Sequence, residues 1–238
     1  MSSVMVLTHP QPNPRRLAGA RTDLKATAMT TTTKRLAKGE QRRAELIERA
    51  LVCLAEKGYA ATSMRDIATA ADLNLGRLHY YFQSKADLLL VAIMHYKTGF
   101  ISDIEGIVAN AKTPEALRRA YVEAMVSAST RDAFIHRLWY DVRSRSLFEP
   151  PLQSVVDGIE KGLRRSLSGV LAALGAPTDK ETVDHFYHLI DGYFLAALGK
   201  TIRGQQSAAA DFRKQLNALL PGTAEAVRGD LHWIRPPG

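Results

Sequence analysis

The chain has a single cysteine, Cys53, among its 238 residues. No internal disulfide framework is open to it, and there is no C-x-x-C pair to grip zinc. It also lacks any apolar run approaching the roughly 18 residues that a membrane-spanning helix needs. Its N-terminus lacks the roughly 7–15-residue apolar core of a secretory signal. A soluble protein of the reducing cytoplasm, with no membrane partner, is therefore expected. No glycine-rich phosphate loop, G-x-S-x-G or H-E-x-x-H is present, so no enzyme class and no cofactor is indicated. Internal repeats and strand-length alternating runs are missing too, which leaves helices as the expected regular element.

Positive charge is present but unevenly placed. The net charge is +8, and residues 1–39 hold +6 of it, with seven Lys and Arg against Asp23 alone. Residues 40–87 carry seven basic and seven acidic side chains, and residues 88–238 carry 18 and 16. Composition alone is thus weak support for nucleic-acid binding. Pattern has to carry the case.

Residues 1–37, with Pro10, Pro12, Pro14 and the run Thr30 to Thr33, read as a disordered basic arm. Leu46, Ile47, Ala50, Leu51 and Leu54 then recur at helical spacing and predict a helix from about Lys38 to Lys57, stopped by Gly58. Two short helices follow. Ser63 and Asp66 make an S-x-x-D capping box for one that runs to about Ala71. Asp72-Leu73 makes a turn, and Asn74 caps the other, Leu75 to Tyr81. Ser84 opens a long helix to about Asn110, and Thr113-Pro114 opens the next, near 114–128. Further helices are expected near 131–147, 151–174, 180–203 and 209–220. The spacing predicts an all-α fold: a three-helix domain over 38–87, a larger helical domain over 88–222 and a tail over 223–238.

Two short helices joined by a tight turn, the second of them exposed, make a helix-turn-helix. Ile67, Leu73 and Leu78 would pin the pair to the first helix, and Ala68 and Ala71 would let the helices cross closely. Leu75, Gly76, Arg77, His79, Tyr80 and Tyr81 are left for solvent or a DNA groove. Arginine and histidine can donate to base edges or phosphates, and tyrosine hydroxyls can reach phosphates.

The segment from Thr62 to Leu89, TSMRDIATAADLNLGRLHYYFQSKADLL, resembles the helix-turn-helix of the TetR family of repressors. The family pattern, T-x-x-x-I-A-x-x-A-G-V-S-x-G-x-L-Y-x-H-F-x-x-K-x-x-L, is matched at Ile67, Ala68, Ala71, Gly76, Leu78, Phe82, Lys85 and Leu88. Asp72 stands in place of the turn glycine, Asn74 in place of the capping serine and His79 in place of a tyrosine. The resemblance implies that Ser63 and Arg65, at the start of the second helix, face the backbone and groove edge. It also implies that Leu75, Gly76, Arg77 and His79 face bases, that Tyr81 and Lys85 hold phosphates, and that a helical C-terminal domain both senses a ligand and dimerises.

In the C-terminal half, Phe134, His136, Trp139, Tyr140 and Arg143 cluster on one predicted helix, with Tyr121 and Met125 on the helix before. Aromatics with a few polar groups suit a mostly apolar pocket for a small-molecule effector, and Arg143 is the candidate to meet a ligand carboxylate. Core and interface packing is the competing explanation for each of these residues. Asp184, His188 and Asp191 share a helix face, with His185 nearby, and their spacing could hold a divalent metal. A polar stripe beside a dimer seam explains them better, and no metal site is expected. The helices near 151–174 and 180–203 are the expected homodimer surface, since the second carries a broad apolar stripe interleaved with Gly192, Ala196 and Gly199. The expected function is a dimeric repressor on a roughly palindromic double-stranded operator, released by a small molecule. An architectural DNA binder without ligand control, and a helical metal enzyme, are the alternatives.

Overall fold

The computed structural model describes residues 39–222. The chain divides into two units, Met1–Leu46 and Ile47–Gly238. The basic arm, with Lys34, Arg35 and Lys38, and the tail over 223–238 lie outside the described residues. In the first unit, residues 39–46 are helical. The helix is labelled α1 and reaches residue 57. The second unit continues with α2 (Met64–Ala70), α3 (Leu75–Tyr81), α4 (Lys85–Asn110), α5 (Pro114–Thr130), α6 (Ala133–Arg145), α7 (Pro150–Ala173), α8 (Lys180–Ile202) and α9 (Ala208–Leu219). Among the described residues there is no strand, and the all-α expectation holds. Helix starts and stops fall within two residues of the predicted ones. No helix among the described residues is long and apolar enough to cross a membrane.

The caps have the expected chemistry. Gly58 follows α1 at φ 82°, a conformation open to glycine. Ser63 and Asp66 form the reciprocal box at the start of α2, where each side chain satisfies the other residue's backbone N–H. Asn74, Ser84, Thr113 and Asp179 each accept a backbone N–H at the start of α3, α4, α5 and α8.

The α2–α3 turn is a Schellman ending built without glycine. The Leu73 N–H donates to the Ala68 carbonyl at 2.8 Å, and the Asp72 N–H to that of Thr69 at 3.1 Å. Asp72 itself stands at φ 55°, so an aspartate takes the left-handed place. Asp tolerates that place better than most residues. Ile67 and Leu78 are fully buried and Phe82 nearly so, and their burial fixes the angle between α2 and α3.

Helices α4 to α9 share one core, with Leu117, Val122, Leu171, Phe186, Phe194 and Phe212 at its centre. Helix α4 lies along α7, and α5 packs on α8 and α9. The α4–α7 approach is close at Gly162, where an added Cβ would come 2.8 Å from Ile101 Cδ1. Helix α4 spans about 39 Å at 1.5 Å per residue, enough to run from α3 into this core.

Candidate functional site

Two sites emerge, one on the surface and one inside. On the surface, α3 turns Gly76, Arg77, His79 and Tyr80 outward while Leu78 faces the core. Tyr80 is 83% exposed. Leu75 and Tyr81 are half-buried at the edges of that face. The Asn74 side chain accepts the Arg77 N–H at 2.8 Å, which fixes the first turn of α3. Arg65 and Ser63 are exposed on and before α2.

Ser63 and Lys85 are more committed than their neighbours. The Ser63 backbone N–H donates to Asp66 at 2.8 Å, its hydroxyl bonds the same carboxylate, and Lys57 pairs with that carboxylate at 2.9 Å. The Ser63 hydroxyl and Lys57 together hold the Asp66 carboxyl well below the usual range. Lys85 Nζ donates to the carbonyls of Tyr59 and Thr62, both at 2.7 Å, and stands 4.2 Å from the Tyr59 ring centre. Its ammonium therefore ties the α1–α2 loop to α4, with one of its three donors left over. The surface can meet a polyanion through Arg65, Arg77 and His79, with the Gly76 backbone open to close approach.

The second site is a cavity inside α4–α8, with an empty volume of about 600 Å³, part of it open to solvent. Tyr121 and Met125 of α5 line it, as do His136, Trp139 and Tyr140 of α6. Five of the six residues picked out in the sequence thus come together. Arg143 does not join them. Its guanidinium is held by Asp191 at 2.6 Å and by Glu160 at 2.8 Å. Phe134 also faces away, about half exposed, beneath Arg137.

Several lining residues were not anticipated as such: Lys97, Phe100, Ile101 and Ile104 from α4, Leu163, Ser166 and Leu167 from α7, and Tyr187, Ile190, Asp191 and Phe194 from α8. Lys97 had a signal in the sequence. It follows Leu89 and Ile93 at four-residue steps, a lysine on the apolar face of a long helix.

Lys97 is 3% exposed, and burial pushes its ammonium down to about 7, against the pull of Asp191. Its Nζ lies 3.3 Å from His136 Nδ1 and over the rings of Trp139 (4.8 Å) and Phe100 (5.6 Å). Burial and the nearby Lys97 hold His136 well below the usual imidazole range, so it is neutral. Its tautomer follows from its partners. Tyr96 donates its hydroxyl proton to Asp132 at 3.2 Å, so it must accept from His136 Nε2 at 3.0 Å. His136 Nδ1 is then bare and accepts from Lys97. The relay runs from Lys97 through His136 and Tyr96 to Asp132.

The metal-spaced residues are tied into ion pairs. Asp184 is held by Arg164 at 2.9 Å and Lys180 at 2.6 Å, and Asp191 by Arg143, while His188 is exposed. Among the described residues no group of three or more His, Cys, Asp or Glu could hold a metal ion.

Two family models match the chain. The model of bacterial regulatory proteins of the tetR family covers residues 46–92, and that of the tetracyclin repressor-like C-terminal domain covers 112–222. The chain belongs to the TetR family. It is a DNA-binding transcriptional regulator with an N-terminal helix-turn-helix, from a family of non-enzymes.

Among relatives of this TetR-family chain is the HTH-type transcriptional regulator BetI of Burkholderia thailandensis. It is 28% identical over 158 residues, which span 66% of this chain and 81% of that protein. Among solved structures, FadR from Bacillus subtilis in complex with stearoyl-CoA superposes with a TM-score of 0.59 at 21% identity, covering 75% of this chain and 98% of that one. A transcriptional regulator from Saccharomonospora viridis in complex with choline gives 0.61 at 17% identity, covering 75% and 95%. At these identities the structures share the fold with this chain.

Proposed function

We propose that this regulator is a repressor that binds a roughly palindromic operator as a homodimer and releases it when a small molecule fills the cavity. The observation that carries this is the double duty of α6. One side of it lines the cavity through His136, Trp139 and Tyr140. Its other residues grip the DNA-binding end: Arg137 donates to the Ala55 carbonyl at 3.1 Å, and Arg145 stands 4.8 Å over the Tyr59 ring. A ligand that moves α6 must change those two contacts. Helix α4 is a second link, since it starts three residues after Phe82 and brings Lys97 and Phe100 to the cavity wall. A ligand need only bind the DNA-incompetent state better, and couplings of about 1–3 kcal/mol are typical.

In this scheme α3 enters the major groove with Leu75, Gly76, Arg77 and His79 toward bases. Ser63 and Arg65 meet the groove edge, and Tyr81 and the remaining donor of Lys85 meet phosphates. Tyr121, Met125, His136, Trp139 and Tyr140 contact the effector, and Arg143 positions Asp191 behind them. The FadR complex with stearoyl-CoA and the Saccharomonospora viridis complex with choline support a small-molecule effector. For the dimer, α8 presents Leu195, about half exposed, beside the exposed small residues Gly192 and Ala196, and α7 would complete the seam. Such a dimer would set two α3 helices about 34 Å apart, one turn of DNA.

The test starts by selecting bound sequences from random DNA and then screening metabolites for release. The expected results are an inverted repeat, a dimer in sedimentation, and a releasing compound. In Arg137→Ala that compound should still bind with unchanged affinity but release DNA less well. Binding without sequence preference, insensitive to every compound, would make the protein an architectural DNA binder instead.

A further inference from the structure

Inside the cavity, the two kinds of charge are in different states. The Asp191 carboxylate is satisfied: Tyr140 donates to one oxygen at 2.8 Å and Arg143 to the other at 2.6 Å. Lys97 has no carboxylate partner within ion-pair distance among the described residues. Of its three donors, one is used on His136, and the rings of Phe100 and Trp139 lie beside it. Two more donors line the same space without a hydrogen-bond partner, the Tyr187 hydroxyl and the Ser166 hydroxyl, each 6% exposed. Burial keeps the Tyr187 phenol protonated, so it remains a donor. Buried polar groups in native proteins are almost always paired, and two unpaired hydroxyls beside a lysine with donors to spare call for an acceptor. Around them the wall is apolar: Phe100, Ile104, Met125, Leu167 and Phe194.

We infer that the effector is a small organic monocarboxylate with an apolar body, its carboxylate held by Lys97 with the Tyr187 and Ser166 hydroxyls, and its body among the rings. This rests on the cavity being the effector site. A cationic ligand is disfavoured because the only acid in the wall among the described residues, Asp191, is already neutralised by Arg143, while the free charge is positive. A neutral ligand would leave the ammonium of Lys97 without a counter-charge. The other titratable and charged groups near Lys97 are Tyr96 on α4, Tyr121 on α5, His136, Tyr140 and Arg143 on α6, and Tyr187 and Asp191 on α8, with Asp132 reached through Tyr96. The nearest charge on α7, Glu160, is taken up by Arg143 and Arg164. Lys97 itself changes charge near neutral pH. A bound carboxylate would favour its charged form, so binding above pH 7 should take up a proton.

The experiment uses the full chain in titration calorimetry with three matched sets of probes. Benzoate, phenylacetate and octanoate are the anions, benzamide, phenylacetamide and octanamide their neutral counterparts, and choline and benzyltrimethylammonium the cations. At least one carboxylate is expected to bind about tenfold or more tightly than its amide, with the cations not binding. At pH 7.5 its heat should differ between buffers of low and high ionisation enthalpy, as proton uptake requires. Lys97→Met should cost that carboxylate about tenfold or more, and Tyr187→Phe a few-fold. Helical circular dichroism checks that both variants fold, and the proton uptake of the unaltered chain tests the inference without either.

Amides or cations binding as well as the acids would overturn the inference. So would no carboxylate binding at all, or carboxylate affinity unchanged in Lys97→Met. Operator release is read separately. Carboxylates that bind through Lys97 but never release DNA would sink the effector scheme and leave the ligand class standing. Release by a neutral compound or a cation would do the reverse.

Discussion

The outer face of α3 and the inner face of α6 are both polar and aromatic, yet they obey opposite rules. On α3, Arg77, His79 and Tyr80 stand in water, and their polar atoms cost nothing while they wait for a partner. On α6, His136 and Trp139 are each 2% exposed, and every polar atom they bring is either paired or a standing cost. The first surface can change its residues with little effect on folding. The second cannot change without touching stability, so under the proposed scheme recognition and folding would share the same side chains there.

The sharpest test of that contrast is Trp139→Ala. Removing a fully buried indole should cost about 3–5 kcal/mol of unfolding free energy, measured by urea denaturation. A loss under about 1 kcal/mol would show that this wall is not part of the core. Next comes the pH dependence tied to Lys97. Its folded-state value is depressed to about 7 from 10.5, so the unfolded chain binds the extra proton between those values. Stability should therefore rise with pH across that window, by up to roughly 1.4 kcal/mol per unit from this residue, and Lys97→Met should flatten the rise. An unchanged slope in the variant would mean that Lys97 is charged in the folded protein.

The exposed side gives smaller numbers of a different kind. Arg77→Ala should weaken operator binding by about 1–3 kcal/mol in a fluorescence-anisotropy titration, with unfolding changed by no more than about 0.5 kcal/mol. A loss of stability with no loss of DNA affinity would reverse the roles given to the two faces. Smallest of all is Asp72→Gly. Relieving the left-handed aspartate should stabilise the chain by no more than about 1 kcal/mol, whereas Asp72→Val should destabilise it. A valine tolerated at no cost would show that the turn relaxes to another conformation.

What the sequence made legible was local. Caps at Ser63, Asn74, Ser84 and Thr113 are signals within four residues of what they control, so helix ends could be read directly. The face of α3 follows from periodicity in the same way. The cavity depends on which helices meet, and that is not local. Arg143 looked free on its own helix, but its partners Glu160 and Asp191 come from α7 and α8. Asp191 looked like part of a metal triplet for the same reason. His136, Trp139 and Tyr140 could be picked out because a cluster of aromatic and polar groups on one helix is visible in one dimension. The assignment of Lys97 needed α6 beside α4, although its place on an apolar stripe was a hint.

Gly162 lets α7 come against α4 at a point where a single extra carbon would press on Ile101. Ile101 is also part of the cavity wall. The helix spacing and the room left for a guest are thus set by the same missing methyl group. A one-carbon change at position 162 would act as a gauge on the chamber's size, pressing Ile101 inward from behind without changing the chemistry of any lining group.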